Sequence, residues 1–319
     1  MGSLELAVEN LTSPPVLAFV LGALAVFIRS DLRLPDPIHT WLATYLLLAI
    51  GLKGGHVLAD ADGGDLLGPA VATLVLGILI PVVVFAVARR VLRLGDPDSG
   101  SLAAHYGSVS VVTFTAATVF AAGAGYSAEP VMTALVALLE IPGIIVALLL
   151  VNARGRRTSL RAAIHEVLTG RSVLLLAGGL VIGLVTSDAG FARIEPFFVD
   201  AFPGLLVLFL LDMGATAASR LRESRSLTPA VVAFALVAPA VIGTIGVLAG
   251  TVAGLSVGGA AVLGAMAASA SYIAAPAAVR TALPDADPGL ALGAALGVTF
   301  PFNLVIGIPV LFALADAIG

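Results

Sequence analysis

The stretch GGAAVLGAMAASASYIAAPAAVRTALP, residues 258–284, decides how the chain is read. It is as apolar as a membrane helix. Yet at mid-length it carries Ser269, Ser271 and Tyr272, then Pro276, with almost no bulky aliphatic residue between Gly264 and Ile273. Proline lacks an amide hydrogen and disfavours helix in the residue before it, so a break or bend is expected near Ala275, leaving backbone polar groups in need of partners. Inside a bilayer such a break is tolerated only beside protein or a water-filled cavity. The stretch is therefore a candidate substrate-lining segment. The plainer alternative is a kinked packing helix whose serines bond to its own carbonyls, because small residues and Ser/Thr are ordinary glue between membrane helices.

Composition fixes the setting. Of 319 residues, 59% are hydrophobic and 11% charged, and mean hydropathy is +1.10, whereas a soluble domain carries about 25% charged residues. This is the composition of an integral membrane protein. The absence of cysteine excludes disulfides, thiolate metal sites and cysteine nucleophiles, and a net charge of -4 gives no reason to expect nucleic-acid binding. At about 20 apolar residues per span, ten helices are expected near 14–30, 37–57, 66–92, 101–123, 128–152, 170–187, 195–218, 227–253, 258–282 and 287–316. The first is read as a retained helix and not a signal peptide. Glu5 and Glu9 precede its apolar run and Arg29 and Arg33 follow it, the reverse of the usual charge order. No linker is long enough to separate a second soluble domain.

Lys and Arg accumulate in short cytoplasmic loops. Of the 16 basic residues, all except Lys53 and Arg193 fall in the odd-numbered loops, including Arg29, Arg33, Arg156, Arg157, Arg220, Arg222 and Arg225. Ten spans in the inner (plasma) membrane with both termini outside the cytoplasm fit this pattern. The densest group, from Arg154 to Arg171, is read as a topology anchor in preference to a partner site.

The midpoint divides a repeat, with halves 1–155 and 156–319. A shift of 161 lays Gly107-Ser108-Val109-Ser110 on Ala268-Ser269-Ala270-Ser271 and Gly51-Leu52-Lys53 on Asp212-Met213-Gly214. The fifth members share a mid-span proline, in Glu140-Ile141-Pro142 and Phe300-Pro301. With five spans per half, the second half enters the membrane inverted. Inverted repeats with matched interrupted helices are the signature of secondary transporters, with the site near the midplane. HYGSVSVVTFTA (105–116) in span four is then the partner of the opening stretch.

At these residues the chain resembles the sodium-dependent bicarbonate permease family, best known from cyanobacterial carbon-concentrating systems. The likeness rests on IGLKGG (50–55), YGSVSVVT (106–113), EIP (140–142), FPGLL (202–206), MGATAASRL (213–221), AASASYIAAPAAVR (267–280) and GIPVLFALADAIG (307–319). It implies an all-α membrane fold of ten helices in two inverted five-helix repeats. Core and gate domains are each drawn from both repeats, with interrupted helices four and nine crossing at the substrate and the gate mediating a homotrimer. It also implies bicarbonate uptake driven by sodium and, in cyanobacteria, inhibition by a PII-like trimer at the cytoplasmic face.

The departures from that family are informative. Its crossings typically read SGST and SSSD; here they are Ser110-Val111-Val112-Thr113 and Ser269-Ala270-Ser271-Tyr272. Ser110, Thr113, Ser269 and Ser271 remain to donate hydrogen bonds to a planar oxyanion beside Tyr272, helped by amides at half-helix N-termini. The acid that would serve a sodium site is replaced by Tyr272. The insert between helices five and six is reduced to residues 153–170, which argues against PII-like docking.

Ionisable residues at membrane depth cost at least about 2.5 kcal/mol each on insertion scales, so the three expected there, Lys53, Glu140 and Asp212, are candidates for ion coupling. Lys53 and Asp212, on repeat mates, are expected to approach one another, and a lysine that neutralises Asp212 or Glu140 would replace a sodium ion. The alternative for Lys53 is snorkelling to the outer surface, and for Asp212 a helix-end cap. The histidines show no metal-ligand spacing, and no nucleophile–base pair suggests an enzyme; His105 reads as a packing residue and Gly250, Gly254, Gly258, Gly293 and Gly297 as close helix contacts. The leading expectation is a secondary carrier for bicarbonate or a similar small monovalent anion, with elevator-like alternating access and no requirement for sodium. The competing one is a non-transporting receptor or regulatory subunit.

Overall fold

Short of a closed barrel, a helix is the one way for a chain in hydrocarbon to satisfy its backbone internally. The computed structural model describes residues 8, 10–30, 32–59, 66–155, 159–224 and 226–319, and no strand occurs among them. Glu5, Glu9, Arg156, Arg157 and Arg225 lie outside the described residues.

The elements are α1 (Pro14–Phe27), α2 (Asp36–Ala59), α3 (Leu67–Arg90), α4 (Asp96–Gly107), α5 (Val111–Gly123), α6 (Met132–Glu140), α7 (Pro142–Asn152), α8 (Leu160–Leu168), α9 (Arg171–Val185), α10 (Asp188–Phe191), α11 (Phe202–Glu223), α12 (Pro229–Val252), α13 (Val257–Ala267) and α14 (Ala274–Ala282). After them Pro288–Ile318 runs as one helical stretch with π-helical turns at Gly293–Thr299 and Asn303–Gly307, on either side of Pro301. Each expected segment contains helix, with 101–123 and 258–282 interrupted at residues 108–110 and 268–273. Among the described residues, seven stretches are long and apolar enough to cross a membrane, and the pair α8 and α9, bent by 47°, makes an eighth if taken as one span. The α1 and α13 helices are shorter apolar elements.

The break in the opening stretch lies upstream of its expected place. Residues 268–273 are unwound, and Pro276 sits in the first turn of α14, where its missing N–H would have had no intrahelical partner anyway. Conversely, Pro81 and Pro239 lie inside α3 and α12 without ending them. The second break, residues 108–110, separates α4 from α5. The shift of 161 that lays Ser108 on Ser269 and Ser110 on Ser271 therefore lays one break on the other.

Packing runs through small residues. The α1 helix lies along α11 and α2 along α9. A Cβ on Gly214 would stand 2.0 Å from the Phe19 carbonyl oxygen, and one on Gly55 2.0 Å from that of Leu180. Backbones touch backbones at both contacts, the close approach that glycine permits between membrane helices. Gly250 and Gly258 pack in the same manner, against Ala260 and Ser127, and Gly293 and Gly297 lie against Ser224 and Leu221. Gly254 does not: it faces open space with φ +86° and serves as the turn after α12. The broken helices are the interior. The Asp96–Gly123 span is 72% buried, against 39% for Leu67–Arg90 and for Pro229–Val252, which leave wide apolar faces for lipid.

Candidate substrate site at the crossing of two broken helices

Each break supplies what the other lacks. The Ser271 N–H donates to the carbonyls of His105 (2.7 Å) and Ser108 (3.1 Å), and the Ser110 N–H donates to Ser269 Oγ (2.8 Å). Serines then restart the helices. Ser110 Oγ accepts from the Thr113 N–H (3.2 Å) as N-cap of α5, and Ser271 Oγ accepts from the Ala275 N–H (3.3 Å) in the first turn of α14. Ser269 Oγ donates to the Met266 carbonyl (2.7 Å), Asn303 Nδ2 to the Ala268 carbonyl (2.8 Å), and Ser108 Oγ to the Glu140 carbonyl (2.9 Å). The ends of both breaks are thus tied to a third and a fourth element.

The structure brings Ser110, Thr113, Ser269 and Ser271 together, none more than 4% exposed. Their roles differ. The Ser269 proton is already given to Met266, so Ser269 holds the crossing and is not a free donor. Ser110 and Ser271 use an oxygen lone pair as acceptor and keep their protons, and the hydroxyl of Thr113 has no partner among the described residues. Three hydroxyl donors therefore remain beside the buried N-termini of α5 and α14, whose helix dipoles favour an anion. Tyr272 joins them: its ring meets Phe300 edge-on at 5.5 Å, and its buried hydroxyl approaches Ser110 without reaching hydrogen-bond geometry. Next to the crossing, between it and α2 and α11, Val111, Val112, Thr115 and Ile273 face Ala43, Leu46, Leu47 and Phe209 across a void of about 10 Å³, space for no more than one water.

Glu140 is 1% exposed, at the end of α6, and Ser172 lies beside it. Its carbonyl holds Ser108, while its Oε2 is buried without a partner. A carboxylate oxygen in that position calls for a proton or a cation.

The expected approach of Lys53 to Asp212 is not what the structure contains. Asp212 Oδ2 lies 2.6 Å from His39 Nδ1, and its Oδ1 accepts from the Leu34 N–H (3.1 Å). His39 also stacks on Phe209, with ring centroids 5.5 Å apart. Asp212 is neither a helix-end cap nor a partner of Lys53. It joins mid-α11 to the start of α2. Lys53 has no ion pair among the described residues and lines a cavity of about 470 Å³, with Glu129, Thr118 and Thr133, between α2 and the α5–α6 turn. Removing His39 is therefore expected to cost more than removing Lys53. His39→Ala strips a charge-assisted bond from a carboxylate 3% exposed, about 1.5–3 kcal/mol. Lys53→Ala should leave thermal unfolding in detergent nearly unchanged; an equal loss in both variants would mean that Lys53 also holds a buried charge.

His105 is the packing residue its context suggested, Nδ1 bonded to the Ser101 carbonyl at 2.8 Å. Sequence reasoning passed over Asn303 and His39. Asn303 carried a readable signal, a lone amide in the apolar run after Pro301, and its Oδ1 is buried without a partner beside the crossing. His39 carried none, since its partner is 173 positions away.

These features define a polytopic helical membrane protein in which two broken helices cap one another at a buried hydroxyl cluster. The chain belongs to the Na+-dependent bicarbonate transporter superfamily, whose family model matches residues 14–316. It is a family of transporters and not of enzymes. No curated protein matches the chain.

Proposed function

We propose that this chain is a secondary transporter for bicarbonate or a similar small monovalent anion, moved by elevator-like alternating access. The observation that carries the reading is the mutual capping of the two breaks, which leaves the Ser110, Thr113 and Ser271 hydroxyls as donors at two half-helix N-termini. The packing supports ten spans in two inverted repeats, 1–155 and 156–319. If spans one and six, and two and seven, are mates, the α1–α11 and α2–α9 contacts are equivalent. Those four helices form the gate, and the broken helices with their neighbours form the moving core. Lys53, in the cavity between the two, draws anions toward the crossing by its charge. The gate assembles a homotrimer in the inner membrane with both termini outside. A stable monomer or dimer in mass measurements on native membranes would overturn that assembly. Residues 153–170 leave little for a PII-like regulator to grip.

Sodium is not required in this reading. Tyr272 stands where the family has an acid, with its ring packed on Phe300, and coupling falls to a proton on Glu140, whose Oε2 is free. Asp212 is excluded from that task by His39. The test is uptake of labelled bicarbonate into proteoliposomes at fixed pH, with sodium or with choline outside. Equal rates are expected. A steep sodium dependence would overturn the coupling, and no uptake under either condition would favour a non-transporting receptor.

A further inference from the structure

The end of α1 and the end of α11 enclose a cavity of about 280 Å³ into which Arg29, Arg33 and Arg222 converge with Ser30 and Ser219. We propose that this cavity binds the phosphate of an anionic phospholipid headgroup. Arginines on one side of a membrane protein need no ligand to explain them. Here, though, three of them, from two elements, face one cavity. No carboxylate is among its lining residues, and none of the three forms an ion pair among the described residues. Guanidinium groups and hydroxyls are the donors that phosphate oxygens select, and basic pockets between membrane helices take lipid headgroups.

Ala25, Val26 and Ala215 line the cavity beside the arginines, so charged and apolar surfaces meet there as they do under a lipid headgroup. The site is also held rigidly. A Cβ on Gly22 would be 1.8 Å from the Leu211 carbonyl oxygen, so the two helix ends are fixed against each other by backbone contact. Arg29 itself has φ 59°, in the left-handed region, in a turn closed by the Ser30 N–H on the Ala25 carbonyl (2.8 Å). That position ordinarily takes glycine. Arg93, after α3, has the same left-handed geometry, φ 56°, so Arg29→Gly relieves backbone strain without that strain itself pointing to a ligand.

The test is native mass spectrometry of the detergent-purified full chain titrated with phosphatidylglycerol, phosphatidylcholine or inorganic phosphate. The unmodified protein should retain phosphatidylglycerol in preference to phosphatidylcholine. Each of Arg29→Gln, Arg33→Gln and Arg222→Gln should weaken that retention by about fivefold. The matched set Arg90→Gln, Arg154→Gln and Arg161→Gln should leave it unchanged. Arg29→Gly separates binding from folding: with the turn relieved, thermal stability should hold or rise while phosphatidylglycerol retention falls. Full retention in the triple Arg29, Arg33, Arg222 variant, or an equal loss in the matched set, would overturn the site. Saturation of the cavity by inorganic phosphate without lipid would overturn the lipid assignment.

Discussion

A Gly143→Ala variant is expected to melt far below the unmodified protein and to lose uptake with its fold. A Cβ at Gly143 would stand 1.8 Å from the carbonyl oxygen of Gly107, 2.2 Å from its carbonyl carbon and 2.7 Å from its Cα. These are backbone atoms at the last residue of α4, and no rotamer change can clear them; α7 must move away from α4. Overpacking of this kind costs about 1–3 kcal/mol and more when backbone must shift. The same shift would strain the Ser108 hydroxyl bond to the Glu140 carbonyl, and a buried carbonyl left unsatisfied costs about 1–3 kcal/mol again. Thermal unfolding in detergent measures the sum. The control is Gly178→Ala, on α9 with no atom within 4 Å of its new Cβ; it should gain about 0.5–1 kcal/mol from helix propensity. Equal stability of the two variants would show that α4 and α7 do not touch at Gly107.

That contrast shows where the fold was legible. Apolar runs of membrane length had to be helices, because hydrocarbon leaves the backbone no other partner, and the segments fall where hydropathy put them. Nothing in a chain with 35 glycines marks Gly143 as the one against a break and Gly178 as idle; that depends on which helix lies opposite. The break in the opening stretch was found, but Pro276 was given a task that belongs to the serines. Proline runs through α3 and α12 without ending them, whereas Ser269 and Ser271 can bond unwound backbone, and their neighbours are small enough for a second break to lie against them.

The hydroxyl cluster was legible in its residues and not in their hydrogen bonds. Four hydroxyls in an apolar run stand out by composition, but whether each proton is spent or free depends on which carbonyl lies nearby. Met266 takes that of Ser269, and among the described residues no group within hydrogen-bond geometry takes those of Ser110 and Ser271, the Tyr272 hydroxyl lying nearest to Ser110. The pairing of Lys53 with Asp212 rested on repeat symmetry, which relates helices without setting two residues at one depth. His39 is the residue of α2 level with Asp212; Lys53 lies fourteen residues farther along the same helix, about 21 Å at 1.5 Å per residue.

The Ser110→Ala, Ser271→Ala double variant should bind its anion at least about a hundredfold more weakly while remaining folded. Each serine gives the protein only an acceptor, to the N–H of Thr113 or Ala275 at 3.2 and 3.3 Å. Losing such a cap costs about 0.5–2 kcal/mol, damage that the other bonds of the crossing, from Ser269, Asn303 and Ser108, can bear. To a buried anion each serine gives a charge-assisted donor worth about 1.5–3 kcal/mol, and two of these together set the hundredfold floor. Ser110→Thr, which keeps both the cap and the proton, should retain uptake and so separates donor chemistry from helix capping. Ser269→Ala should behave the other way, lowering stability through loss of the Ser110 N–H partner with little direct effect on affinity, because its proton never faced the anion. Bicarbonate uptake and thermal unfolding measured on the same four proteins decide the matter. Unchanged uptake in the double variant would remove the anion from this crossing, and a loss confined to Ser269→Ala would reverse the roles assigned to the three serines.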